Sequence, residues 1–217
     1  MKQVFAPGCA LVLYKPELAK KALRYIYETL GDTPEHLICC RHASNLEPGT
    51  TVINTCPGCQ SRYKKEHGGI STISLWEILA ESKTFPFPDY KGAKMTIHDA
   101  CSTRAEKKTH SIIRKLLQKM NIETIEPEKT AINSICCGDS FYGSLPIDKV
   151  KEQMKKRANE MPAENVVVYC VSCINAMQIG GKMPRHIIDL LFGQETVAES
   201  YEPAVWHDKL QKYIDKH

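Results

Sequence analysis

NVVVYCVSC, Asn165–Cys173, is an apolar β-branched run that ends on a C-x2-C, and TTVINTCPGC, Thr50–Cys59, has the same form. A short run rich in valine and isoleucine, closed by a turn, reads as a strand. Each strand therefore delivers a pair of thiols into the loop that follows it. Open α/β sheets build their sites where strands end and loops begin. These two stretches thus point both to an α/β architecture and to the place where its chemistry gathers.

Working outward, the ten cysteines fall into two sets of the same order. Cys9, the adjacent pair Cys39-Cys40 and Cys56-x2-Cys59 form the first; Cys101, Cys136-Cys137 and Cys170-x2-Cys173 form the second. The surroundings repeat too: KQVFAPGC before Cys9 aligns with KMTIHDAC before Cys101, and each C-x2-C is followed by a Gly-Gly step and an amphipathic segment. In those segments Leu75, Ile78 and Leu79 correspond to Ile187, Leu190 and Leu191, one helical face kept in both copies. A period of about half the chain indicates a duplicated unit rather than a solenoid. Residues 1–82 are expected to form the first repeat, 83–92 a linker where Pro86, Pro88 and Gly92 break periodicity, 93–193 the second repeat, and 194–217 a helical tail.

The predicted fold is α/β: two lobes related by a pseudo-twofold axis, each with a small parallel-type sheet flanked by helices. Glu17–Leu30 carries Leu18, Ala22, Ile26 and Leu30 on one side, and Arg104–Met120 carries Ile112, Ile113, Leu116, Leu117 and Met120. The second copy has an inserted amphipathic stretch from Ile147 to Met161, with Ile147, Val150, Met154, Ala158 and Met161 on one face. In the tail, Trp206, Leu210, Tyr213 and Ile214 share a side, which suits a helix capping its own core or docking a partner.

Length and composition narrow the function. At 217 residues and 42% hydrophobic the chain can bury a core without disulfides. A net charge of +4, with basic doublets in helix-like stretches, argues against nucleic-acid binding. The N-terminal apolar run is broken by Pro7, Gly8 and Cys9, too early for a signal peptide, and no uninterrupted apolar run is long enough to span a bilayer. A cytoplasmic location is expected. In a reducing compartment many cysteines argue for metal or redox chemistry rather than bridges.

Several chemistries compete for these thiols. A disulfide between neighbours closes a strained ring and staples nothing. A thioredoxin-like pair suits CPGC after a strand but leaves eight cysteines unexplained. Zinc takes four ligands at tetrahedral angles, whereas each set offers five, and adjacent residues in an extended chain point to opposite faces. A multi-iron cluster accommodates neighbouring thiolates on one body, and soft thiolates select such assemblies. The chain has neither a ferredoxin C-x2-C-x2-C-x3-C-P run nor a Gly-rich nucleotide fingerprint, so a separate ferredoxin-type or flavin-bearing subunit is expected to supply electrons.

HDAC at His98–Cys101, CCG at Cys136–Gly138 and CVSC at Cys170–Cys173 resemble the cysteine-rich CCG-domain family, to which the CCG-bearing subunit of heterodisulfide reductase and related subunits of anaerobic oxidoreductases belong. The resemblance implies noncubane [4Fe-4S] clusters held by all ten cysteines, one or two in number. It also implies an oxidoreductase subunit that reduces a small disulfide. The alternative is a zinc- or cluster-binding module, or a one-electron carrier, that does no catalysis within a larger complex. The first copy departs from the pattern: Arg41 replaces the glycine after the pair, and fifteen residues separate Cys40 from Cys56. A glycine there permits a positive φ or a close approach. Arg41 predicts instead an altered cluster, a zinc ion, or a cluster balanced by the arginine. His98 and Asp99 are catalytic candidates, able to hydrogen-bond sulfur or move a proton, and His42 stands beside the first pair.

Overall fold

The computed structural model describes residues 2–197 and 202–217. The chain divides into two compact units, one of Met1–Leu79 with Asp208–His217, the other Ala80–His207. Each is built on a small, wholly parallel sheet with helices packed against it.

The first unit runs β1 (Gln3–Ala6), α1 (Cys9–Tyr14), α2 (Pro16–Leu30), β2 (Thr51–Asn54), α3 (Pro57–Glu66), β3 (Ser71–Ser74) and the start of α4 (Leu75–Glu81), with sheet order β1-β2-β3. Gln3 pairs with Thr51 and Thr51 with Ser71, in register along both strand pairs. Parallel neighbours need a crossover, and here helices supply it. The stripe of α2 expected from the sequence is the buried one: Leu18, Ala22 and Ile26 are sealed, while Leu30 at its end is 43% exposed. On the far side of β1 a single parallel bridge joins Phe5 to Glu35.

The second unit runs β4 (Ala93–Ile97), α5 (Lys107–Lys119), β5 (Ile122–Ile125), α6 (Ile147–Asn159), β6 (Asn165–Val168), α7 (Val171–Ile179), β7 (Met183–His186), α8 (Ile187–Leu191) and the first turn of α9 (Pro203–Lys216). Its sheet order is β5-β4-β6-β7. β4 and β6 thus match β1 and β2, β7 matches β3, and β5 is the full strand for which the first unit has only the Glu35 bridge. α6 is the inserted helix, with Val150, Met154 and Ala158 buried. The segment expected as a linker lies against the second unit: Phe85 packs edge-on to Phe192 at 5.7 Å, and Tyr90 donates to the Leu190 carbonyl at 2.9 Å. Residues 198–201 of the expected tail lie outside the described residues.

Chain order turns back between β4 and β6, since β5 extends the sheet to one side of β4 and β6 to the other. Ligand sites of open α/β sheets lie beyond the carboxyl ends of the strands at such a reversal. The Glu35 bridge on the outer side of β1 puts the same reversal between β1 and β2. Both cysteine sets begin at these points.

Candidate functional site

Parallel pairing brings the thiols of each set together. Ala6 is level with Asn54 in the first sheet, so Cys9 and Cys56 leave neighbouring strands at one edge. Ile97 is level with Val167 in the second, and Cys101 and Cys170 leave in the same way. Cys56 caps α3 and Cys170 caps α7, so each C-x2-C opens a helix. At Cys56 the hydrogen bond from Cys59, with the backbone N–H groups of Cys59 and Gly58, outweighs burial and pulls the thiol down to about 7.

The adjacent pairs complete each set. Cys40 Sγ lies 3.4 Å from Cys59 Sγ. In the first unit the thiols interact in the order Cys9, Cys39, Cys40, Cys59, Cys56. In the second the order is Cys101, Cys136, Cys137, Cys173, Cys170. The connectivity is the same: lone cysteine, first and second of the pair, then last and first of the C-x2-C. All ten cysteines are free thiols. The expectation that neighbouring cysteines diverge holds for extended chain, but both pairs sit in loops outside any strand, where neighbours converge.

One sulfur in each set is the preferred thiolate. Hydrogen bonds from Cys40 and Cys9 hold Cys39 well below the ordinary thiol range, and the backbone N–H of Arg41 adds to this. Hydrogen bonds from Cys101 and Cys137 pull Cys136 down likewise, aided by Ser140, whose hydroxyl donates to Cys136 Sγ at 2.9 Å, and by the Gly138 N–H at 3.3 Å. The donors rise in turn: Cys9 and Cys101 are pushed up by the hydrogen bonds they give to these sulfurs and by burial.

Arg41 therefore does with its backbone what Gly138 does, and its side chain is exposed. What makes position 138 a glycine lies behind it. Gly138 has φ +111°, and a Cβ there would sit 2.7 Å from the backbone nitrogen of Met154 on α6. The first unit has no counterpart of α6, so nothing demands glycine at Arg41.

The two sets differ in their surroundings. An open recess of about 300 Å³ adjoins the first set, lined by Cys9, Cys39, Cys40 and Cys59 with His36, Tyr63 and Tyr213. His36 is buried with Nε2 unpartnered. His42 is turned elsewhere, its Nε2 2.8 Å from the carbonyl of Ile214, and Cys39 N–H donates to the His217 carbonyl. These bonds fix the end of α9 against the first set. In the second unit, Trp206 Nε1 donates to Ser172 inside the C-x2-C, and His207 stacks on Tyr142 at 3.8 Å with Nε2 3.1 Å from Asp139.

His98 and Asp99, the candidates before Cys101, are both fully buried. Asp99 receives Arg114 at 2.9 Å, the Ala131 N–H at 2.8 Å and the Tyr169 hydroxyl at 3.0 Å. Burial raises its pKa, but Arg114 and the Ala131 N–H overcome this and hold it at about 2. Its backbone carbonyl accepts from Ser134, whose own carbonyl accepts from Arg104. Asp99 is thus a tie between the Cys101 loop and the loop leading to Cys136. His98 is neutral: burial, then the nearby Arg157, push its pKa down to about 4. A ring nitrogen of His98 and the sulfurs of Cys137 and Cys173 all lie within 4.8 Å of one another.

Arg157, 1% exposed, was not singled out by the sequence reading. The signal was present, for Arg157 follows Val150 by seven residues and Met154 by three, which puts a cation on the apolar face of α6.

Residues 95–178 match the model of the CCG cysteine-rich domain, and this span holds all five thiols of the second set. The match lies wholly within the second unit. The chain is 23% identical over 202 residues to a subunit of "Fumarate reductase (CoM/CoB)" of Methanothermobacter marburgensis, across 78% of this chain and 40% of that protein. It is 27% identical over 101 residues to a "Probable membrane-anchored ferredoxin" of Chromohalobacter salexigens, across 44% of this chain and 15% of that protein. The chain therefore spans less than half the length of these relatives. Among solved structures, the Picrophilus torridus aspartate racemase aligns at 11% identity over 99% of this chain and all of its own, with a TM-score of 0.35. A likeness at that level carries no argument. Among the described residues no helix is long and apolar enough to cross a membrane.

Proposed function

We propose that this chain is an iron–sulfur electron-transfer subunit, in which Cys9, Cys39, Cys40, Cys56 and Cys59 hold one cluster and Cys101, Cys136, Cys137, Cys170 and Cys173 hold another. The observation that carries this reading is the thiol connectivity, identical in the two units. Five converging sulfurs exceed what a tetrahedral zinc site takes, and an all-thiolate donor set selects iron–sulfur assemblies. The CCG domain match and the similarity to a ferredoxin point the same way.

When bound, such a cluster takes up and gives back electrons singly. The chain's own residues bind it and stabilise the thiolate form: the helix start at Cys56, the N–H groups of Arg41 and Gly138, and the Ser140 hydroxyl all favour negative sulfur. Asp99 holds the loops that present Cys101 and Cys136.

In the same reading the clusters are [4Fe-4S], of the noncubane kind the family resemblance implies. Electrons arrive from a separate ferredoxin-type or flavin-bearing subunit of a larger complex, in a cytoplasm that keeps thiols reduced. The acceptor is a small disulfide, whose S–S bond is split by two electrons and two protons to give two thiols. Anaerobic purification with iron, sulfide and zinc analysis tests the core of the reading. Iron and acid-labile sulfide support it, and stoichiometric zinc without sulfide contradicts it. Turnover of a panel of small disulfides under a low-potential donor tests the substrate. No turnover by fully loaded protein leaves a one-electron carrier.

A further inference from the structure

His98 is sealed from solvent, and its Nε2 has no hydrogen-bond partner. Leaving a buried polar group unpaired is unfavourable, so such an atom marks a missing partner. The other ring nitrogen explains which proton is present. Arg157 Nε donates to His98 Nδ1 at 3.2 Å. A guanidinium has donors only, so Nδ1 carries the lone pair and the proton sits on Nε2.

Arg157 cannot turn away from this task. Its other nitrogens are pinned by Glu160 Oε2 at 2.8 Å and by the Lys129 carbonyl at 2.8 Å. His98 is itself anchored through its backbone N–H to the Val167 carbonyl at 2.9 Å. The imidazole therefore presents one fixed donor in a space where the sulfurs of Cys137 and Cys173 lie within 4.8 Å of a ring nitrogen. Metal ligation by His98 fits poorly. A ligating imidazole ordinarily gives its second N–H to an acceptor, and here the second nitrogen faces a cation.

We propose that His98, held by Arg157 with its proton on Nε2, donates a hydrogen bond to a sulfur of the second cysteine set and thereby raises the reduction potential of the group that set holds. The inference rests on the iron–sulfur reading above. Reduction adds negative charge that spreads onto the sulfurs, and an N–H directed at one of them stabilises the reduced form more than the oxidised one. In the first set Ala6 occupies the place of His98 in the aligned repeats, and the buried His36 beside that set comes from a different segment of the chain.

The test uses anaerobically purified full-length protein containing 15N-labelled histidine. Pulsed EPR of the reduced wild type should show a weakly coupled histidine nitrogen, as expected for a hydrogen-bond donor. Strong coupling typical of direct ligation overturns the proposal, as does the absence of any histidine coupling. In parallel, His98→Leu should lose that coupling and lower the midpoint potential of one cluster at unchanged iron and sulfide content, and His98→Gln should restore most of the potential. An unchanged potential in a fully loaded His98→Leu also overturns it. If His98→Leu fails to load, the wild-type spectrum decides. Wild-type protein that holds no iron and sulfide defeats the underlying reading instead, a result separate from any histidine effect.

Discussion

Gly138 and Arg41 occupy the same place after their cysteine pairs, and each gives its backbone N–H to the first sulfur of the pair. The glycine is required by α6, whose Met154 backbone leaves no room for a Cβ. Gly138→Ala must adopt a positive φ and push against main chain, so it should destabilise the second unit by about 2 kcal/mol or more, read as a lowered denaturation midpoint. Arg41→Gly should leave the iron content unchanged, because the arginine side chain is exposed. Iron lost from Arg41→Gly would restore the view that this cation balances the cluster. Asp99→Asn removes the charge that pairs with Arg114 inside the fold. It should cost about 2–4 kcal/mol, measured by denaturant titration of the metal-free protein. The CCG spelling was legible as a thiol motif, but the reason for its last letter was not. That reason comes from Met154, sixteen residues further along the chain.

At the scale of elements, α6 joins two roles: it lies against the CCG loop and carries Arg157 to His98. Met154→Ala should cost about 2–5 kcal/mol as a buried large-to-small change. It should fail to rescue Gly138→Ala in the double variant, because the close atoms include the Met154 nitrogen and Cα. Full recovery of the double variant would show that the side chain alone excludes a Cβ. The helices α2, α5 and α6 were legible from their apolar stripes, and β2 and β6 from valine and isoleucine runs. β3 and β7 were not. STIS and MPRH lack the apolar alternation of a half-buried strand, and β7 includes Pro184, which an edge position tolerates. In the sequence both fall inside the amphipathic segment that follows each Gly-Gly step, with nothing to mark them as strands. In α9 the expected stripe is there, with Trp206 and Ile214 buried. Its last turns meet the first thiol set through Ile214, Tyr213 and His217. Removing residues 208–217 should therefore lower the metal content of the first set and spare the second, as read by iron analysis on a Cys136→Ser, Cys137→Ser background and its counterpart.

On the scale of the whole molecule, the duplication read from cysteine order reappears as two parallel sheets with matching strand order and matching thiol connectivity. It was legible because each repeat spells its site in the residues that follow two neighbouring strands. The difference between the copies was less so. The shorter gap between Cys40 and Cys56 signalled a missing element, and the fold identifies it as the absent α6. Partner residues such as Arg157 were hidden because fifty-nine positions separate it from His98, and only the packing of α6 brings them together. The measurement closest to the central claim is iron and acid-labile sulfide analysis of anaerobic wild type beside the Cys39→Ser, Cys40→Ser and Cys136→Ser, Cys137→Ser variants. Two equivalent thiol sets predict that each double variant loses about half of the iron and sulfide, with zinc absent from all three. Wild type carrying zinc without sulfide, or one pair whose loss leaves the iron untouched, would contradict it.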